Sequence, residues 1–379
     1  MSPAGDLPSS PCGGVVTLVR VLSGVFAIMA SIVRRPTFID IFSGAGGLAL
    51  GFQKAGFGSV WAVEIDEDAA ATYAANFGHD VFTGPIESVE EVPVQADVIV
   101  GGPPCQGFSP LGKMSPRDAH EDMNQLWRQY LRIVELVQPK VFVVENVPEF
   151  VKSAEGLRMM ELGRNWGYDI DADVLNAYHY GVPQKRRRGF IIGSRIGHPS
   201  FPKDRDLSRT VRDAIGDLPQ NPTDEDWHLS RSPRSISVER YRQIPAGGNR
   251  FDLMRRRPDI TPNCWLNKPT GSTDVFGRLE WDAPALTIRT EFFKPEKGRY
   301  LHPEAHRPIT HREAMRLQTF PDDFMWEGSK ISVARQVGNA VPPVLAQAIA
   351  DEVFNLIESS SVEAETLSGG VDSVVTDRA

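Results

Sequence analysis

Short apolar runs alternate with helically spaced segments over the first half of this 379-residue chain. TFIDIF (37–42), SVWAVEID (59–66), ADVIV (96–100), KVFVVENV (140–147) and RGFIIGS (188–194) each read as a buried strand. Between the third and fourth runs, Leu126, Tyr130, Ile133, Val134 and Val137 share one helical face, and that helix stops before Pro139. Strands alternating with helices predict an α/β fold, a mostly parallel sheet with helices on both faces. After about Gly197 the rhythm ends, and Pro, Arg, Ser and Asp dominate to about Pro308. Helical spacing returns in THREAMRLQTF (310–320) and in VPPVLAQAIADEVFNLI (341–357), where Pro342 and Pro343 suit a helix start. The expected organisation is a poorly ordered extension over 1–33 and a sheet domain over 34–198. A smaller irregular domain over 199–330, a returning C-terminal helix over 331–358 and a disordered tail over 359–379 complete it.

The apolar stretch Val15–Val33 changes this picture little. Arg20 interrupts it, and Val21–Val33 is too short to cross a bilayer, so neither a membrane span nor a membrane partner is expected. Either Met29 is the start of translation or the stretch is a loose tail. Three cysteines, Cys12, Cys105 and Cys264, form no CxxC or Cys/His pattern, so no disulfide framework or metal site is expected and a cytoplasmic setting follows. The net charge of −8 argues against a polyanionic partner only as an average. Gln184–Ile260 holds 17 Lys and Arg against 10 Asp and Glu, a local +7 that leaves −15 on the rest. One segment can face nucleic acid while the remainder repels it.

Five features carry candidate chemistry. The turn Ser43-Gly44-Ala45-Gly46-Gly47 between a strand and a helix lets a ligand approach backbone closely, although such glycines also serve plain packing. Glu64, at the end of the next strand, suits the two hydroxyls of a ribose. Pro103-Pro104-Cys105 sets a thiol on a stiff turn at a strand end, where open sheets bind ligands, so Cys105 is a candidate nucleophile. Glu145 ends the neighbouring strand, a candidate general acid if burial raises its pKa. In Gln184-Lys185-Arg186-Arg187-Arg188, strand alternation puts Arg186 and Arg188 on one side and Arg187 on the other. Arginines in such a pattern contact phosphates or stand as a solvated surface.

Taken together, DIFSGAGGLALGF, VEID, GGPPCQGFS, ENV, QKRRR, REAMRLQTFPDDF and QVGNAVPP, in this order over about 36–356, resemble the blocks of the cytosine-5 DNA methyltransferases of the bacterial modification type. The resemblance implies a Rossmann-like methyltransferase sheet, S-adenosylmethionine as methyl donor, and a target-recognition region between QKRRR and REAMRLQ. It implies double-stranded DNA as partner, a flipped-out cytosine in a short site as substrate, and protection of host DNA beside a cognate endonuclease; a monomer is expected.

By the same resemblance Cys105 adds to cytosine C6, Glu145 engages N3, and Arg186 and Arg188 hold the base and the loop around it. Phe42, Ser43, Gly44, Gly46, Gly47, Leu48, Glu64, Ile65, Pro85, Ile86, Pro103, Asn339 and Ala340 are the expected cofactor residues. Gln106, Gly107, Ser109, Gln184, Arg187, Asn249, Arg250 and Thr287 are the expected DNA contacts. One departure stands out: TGPIES has Pro85 where the family commonly places an Asp near the adenine, so that contact is left to Ile86 and backbone groups. An RNA cytosine methyltransferase on the same scaffold, or a DNA-binding module without catalysis, are the alternatives.

Overall fold

The computed structural model describes residues 34–79, 81–104, 125–223, 225–267 and 270–369, with side chains to 362. Seven strands form the central sheet: β1 (Thr37–Ile41), β2 (Gly58–Glu64), β3 (Val81–Thr83), β4 (Val98–Gly101), β5 (Val141–Asn146), β6 (Asp169–Asn176) and β8 (Arg187–Ser194). Their order is β3-β2-β1-β4-β5-β8-β6. The first five are parallel, and β8 runs antiparallel to both β5 and β6. Two further strands, β7 (Gln184–Lys185) and β9 (Ala285–Leu286), pair with each other outside this sheet.

Residues of β1 alternate between two cores because successive strand side chains point to opposite faces. Phe38 packs with Phe52, Phe57, Leu345, Ile349 and Val353 on one face. Ile39 and Ile41 pack with Tyr130, Ile133, Phe142 and Met159 on the other. Helices α1 (Gly47–Lys54) and α2 (Glu67–Phe77) follow β1 and β2; α3 (Leu126–Val137), the short α4 (Pro148–Val151) and α5 (Ala154–Asn165) follow β4 and β5. The Tyr130 hydroxyl pins α3 to the sheet by donating to the Ile99 and Val143 carbonyls at 3.1 and 2.9 Å.

Beyond β8 the chain carries short helices α6 (Val211–Ile215), α7 (Ser235–Arg242), α8 (Arg250–Arg256) and α9 (Asn263–Leu266), then α10 (His311–Leu317). A small core of Tyr241, Ile244, Leu253, Phe276 and Leu301 belongs to this region alone. A larger one joins Val211, Ile288, Phe292 and Met315 to Ala45 and Leu50 of the first block, so the core runs unbroken across the expected boundary at 198/199. The expected C-terminal helix is two helices, α11 (Lys330–Asn339) and α12 (Pro343–Gly369), broken where Pro342 and Pro343 cannot continue the first. Helix α12 also continues past Ser359, where a disordered tail was expected. Among the described residues no single helix is long and apolar enough to cross a membrane.

Strands β3 and β6 do not stand out in the hydrophobic pattern. VFT is three residues long, and β6 is an edge strand whose Asp169, Asp171 and Asp173 break the apolar run.

Candidate active site

The strand order switches direction between the parallel neighbours β1 and β4, the place where open α/β sheets bind ligands at their carboxyl ends. A cavity of about 880 Å³ lies there, lined by residues that follow β1, β2, β3, β4 and β5 and by the α11–α12 junction. Phe42, Ser43, Gly44, Gly47, Leu48, Glu64, Ile65, Pro85, Ile86, Pro103, Asn339 and Ala340 all line it, as do Glu145, Arg186 and Arg188. Cys105, Gln106, Gly107 and Ser109 lie outside the described residues; Pro104, the residue before the cysteine, lines the cavity.

The first block turns sharply into α1, with Phe42 at φ 58° and Gly44 at φ 54°. A Cβ on Gly44 would meet nothing within 4 Å. Gly46 departs from its expected role. Its missing Cβ faces the Phe77 and Tyr73 rings, 2.4 and 3.0 Å from where it would stand, so this glycine lets α2 pack and does not line the cavity. Glu64 accepts from the Gly44 amide at 2.7 Å and from the Asp66 amide at 2.9 Å. Burial raises its pKa and those two amides oppose the rise. Asp66 caps α2 by accepting from Ala69 N at 3.0 Å and pairs with Arg335 of α11.

At the β5 end, Glu145 Oε1 accepts from Arg188 Nε at 2.8 Å. Burial pushes the Glu145 pKa up, against the pull of Arg188 and then Arg186. Gly102 makes room for this carboxylate, since a Cβ there would stand 3.0 Å from Oε2. Asn146, which sequence reasoning passed over within ENV, donates from Nδ2 to the Pro103 carbonyl at 3.0 Å and so ties β5 to the proline turn.

Arg186 and Arg188 both line the cavity, but Arg186 lies between β7 and β8, so strand alternation does not place it, and their work differs. Arg186 is 1 % exposed and donates to the carbonyls of Ile288, Gly338 and Ala340 at 3.0, 3.0 and 2.9 Å. It joins the sheet to the segment beyond β8, at Ile288, and to the α11–α12 junction.

Four expected DNA contacts are occupied within the fold. Gln184 is fully buried; its amide donates to Leu317 O and Gln318 Oε1 at 3.2 and 2.8 Å and accepts from Ile288 N at 2.8 Å. Asn249 caps α8, its Oδ1 accepting from Phe251 N at 2.9 Å. Arg250 is buried, donates to Thr270 O at 2.8 Å and lies over the Phe251 ring. Thr287 donates to Lys185 O at 3.0 Å beside the β7–β9 pair. The basic segment is likewise partly spent: Arg205, Arg212, Arg255 and Arg257 pair with carboxylates. Arg187, Arg234, Arg242 and Arg256 are exposed and pair with no carboxylate among the described residues.

Residues 36–355 match the family model of the C-5 cytosine-specific DNA methylases. The chain is 36 % identical to the type II methyltransferase M1.HphI of Haemophilus parahaemolyticus, over 84 % of this chain and 87 % of that protein. It is 34 % identical to M.XorII of Xanthomonas oryzae, over 85 % of each. A solved structure described as a DNA modification methyltransferase encoded within an E. coli prophage superposes with a TM-score of 0.65 at 28 % identity, covering 85 % of this chain and 99 % of that one. With the methyltransferase sheet, the cavity at its carboxyl ends and these matches, the chain belongs to the C-5 cytosine-specific DNA methylase family and is a DNA cytosine-5 methyltransferase.

Proposed function

We propose that the protein transfers a methyl group from S-adenosylmethionine to a cytosine flipped out of a short duplex site, with Cys105 as nucleophile and Glu145 as acid. The observation that carries this reading is the Glu145 carboxylate, raised in pKa by burial and held by Arg188 at 2.8 Å, in one cavity with the ribose-type acceptor Glu64. The residues fit a nucleoside cofactor. Gly44 leaves open space where a side chain would stand, Ser43 Oγ is buried without a hydrogen-bond partner among the described residues, and Glu64 is oriented by two amides. S-adenosylmethionine, held by Phe42, Glu64, Ile65 and Asn339, would supply an electrophilic methyl group on a sulfonium.

Cytosine C5 is too weak a nucleophile for that methyl group unless electrons are pushed into the ring. Addition of the Cys105 thiolate at C6, with a proton or hydrogen bond from Glu145 at N3, makes C5 enamine-like. Once C5 carries the methyl group, loss of its proton restores the double bond and expels the thiolate. Arg188 keeps the Glu145 carboxyl pointed at the base, while Asn146 holds Pro103, two residues before the cysteine in the chain. C6 is shielded inside a stacked duplex, so the base must leave it.

The reading extends to a monomeric cytoplasmic enzyme that protects host DNA against an endonuclease cutting the same site. The type II naming of M1.HphI and M.XorII supports that pairing. Arg187, Arg234, Arg242 and Arg256 are the exposed candidates for phosphate contact. Bisulfite sequencing of DNA from a methylation-free host tests the activity. One short motif should become protected with the wild type and not with Cys105→Ala; equal protection by the variant would remove Cys105 from the mechanism.

A further inference from the structure

Four carboxylates line the cavity, Glu64, Asp66, Glu87 and Glu145. Three are already engaged: Glu64 by two backbone amides, Asp66 by the cap of α2 and by Arg335, and Glu145 by Arg188. Glu87 is exposed and makes no hydrogen bond or ion pair among the described residues. It sits in the single tight turn Ile86–Ser88 that follows β3, at the far end of the cavity from Glu145. β3 and β5 are four places apart in the sheet, which at strand spacing is about 19 Å. Glu64, on β2, lies between them.

A nucleoside whose ribose meets Glu64 and whose reacting end meets the Glu145 side must place its base at the β3 end. The walls there suit a flat ring: Ile65 is 68 % exposed, an uncovered apolar face on the lip of the cavity. The polar edge of the base then faces Pro85, Ile86 and Glu87. Backbone acceptors there are largely committed. The Pro85 carbonyl accepts from Ser88 N at 3.0 Å, and the Ile86 and Val89 carbonyls each accept from Arg132 at 2.7 Å. Pro85 has no side-chain acceptor, whereas the Ile86 amide opens the turn as a donor.

We propose that Glu87 reads the exocyclic amine of the cofactor's adenine, accepting its N–H while the Ile86 amide donates to the adjacent ring nitrogen. An amine paired with a ring acceptor is the pattern adenine offers. A 6-oxo base such as hypoxanthine presents the reverse and would set an oxygen against the carboxylate. The assignment rests on the cofactor reading above and goes past it by moving adenine recognition to a residue that the sequence blocks leave unassigned.

The test is calorimetric binding of S-adenosylhomocysteine and of its 6-oxo counterpart, S-inosylhomocysteine, to the full-length protein. Wild type should prefer the adenine form by about 10–100-fold, the range of a hydrogen bond to a charged group. Glu87→Ala should weaken adenine binding by about tenfold and leave the 6-oxo form unchanged or tighter. Glu87→Gln, whose amide can either accept or donate, should narrow the preference from both sides. Wild-type affinity and discrimination in both variants would overturn the role of Glu87 while leaving the cofactor site standing. Failure of folded wild type to bind either compound would remove the cofactor reading, and this assignment with it.

Discussion

Glu145 shows how single atoms set the chemistry of this site. Its carboxyl is held by Arg188, and its other oxygen lies where a Cβ on residue 102 would come within 3.0 Å. Gly102→Ala should therefore displace the acid by a few tenths of an ångström without touching Glu64 or the glycines of the first block. Misplacement on that scale is expected to lower the methyl-transfer rate about tenfold. Cofactor affinity, measured by calorimetry, should stay within about twofold, because the altered residue is at the cytosine end. A parallel loss of affinity would instead place Gly102 against the cofactor. Glu145 was legible as a strand-end acid, and its pairing with Arg188 was not, because β5 and β8 meet only through antiparallel pairing across the sheet. Gln184 misled for a similar reason. It stands in a basic run that looks solvent-facing, yet its partners Ile288, Leu317 and Gln318 lie more than a hundred residues away.

Elements meet closely where small residues allow it, and the α1–α12 crossing is the clearest case. A Cβ on Gly51 would stand 2.4 Å from Ala346 Cβ and 2.5 Å from Gln347 N, so backbone itself blocks any side chain. This contact fixes α1 beneath the glycine turn and α12 behind the sheet, in the core of Phe52, Leu345 and Ile349. Gly51→Ala gains about 1 kcal/mol in helix propensity and loses about 1–3 kcal/mol or more to overpacking. Net destabilisation is expected, seen as a lower denaturation midpoint in urea at an unchanged slope. Ala346→Gly in the same background should recover part of it, since the Gln347 amide remains in the way. An unaltered midpoint would mean that the helices separate freely. The strands β1, β2, β4, β5 and β8 were readable because each is a compact apolar run. This crossing was not, because the glycine in LALGFQK reads simply as a weak helix position and the reason for it lies on α12.

At the scale of the molecule, a buried polar network braces the segment around His302 and Arg307 against α10, and it gives stability a defined pH dependence. Glu313, fully buried in the first turn of α10, is gripped by Arg307 at 2.9 and 2.8 Å and accepts from Thr310 N at 2.7 Å. Burial alone would raise its pKa, but Arg307 holds it below the usual carboxylate range. His302 lies alongside, its Nδ1 accepting from Glu304 N and Ala305 N at 3.2 and 2.9 Å. Burial lowers the His302 pKa to about 4, outweighing the opposing pull of Glu313. An unfolded histidine titrates near 6.5, so between about pH 6.5 and 4 the unfolded chain binds the proton that the folded one refuses. Stability should therefore fall as pH drops through that window, by about 3 kcal/mol from this residue. Glu313 adds its own loss at lower pH, as its carboxylate is protonated in both states. His302→Asn, whose Oδ1 can take over the two backbone amides, should flatten the slope between pH 6.5 and 4 while leaving the decline below pH 4. Urea midpoints measured across this range decide the matter: a slope unchanged by the substitution would move the titration to another group, with the buried His311, whose pKa burial also lowers, the next to replace.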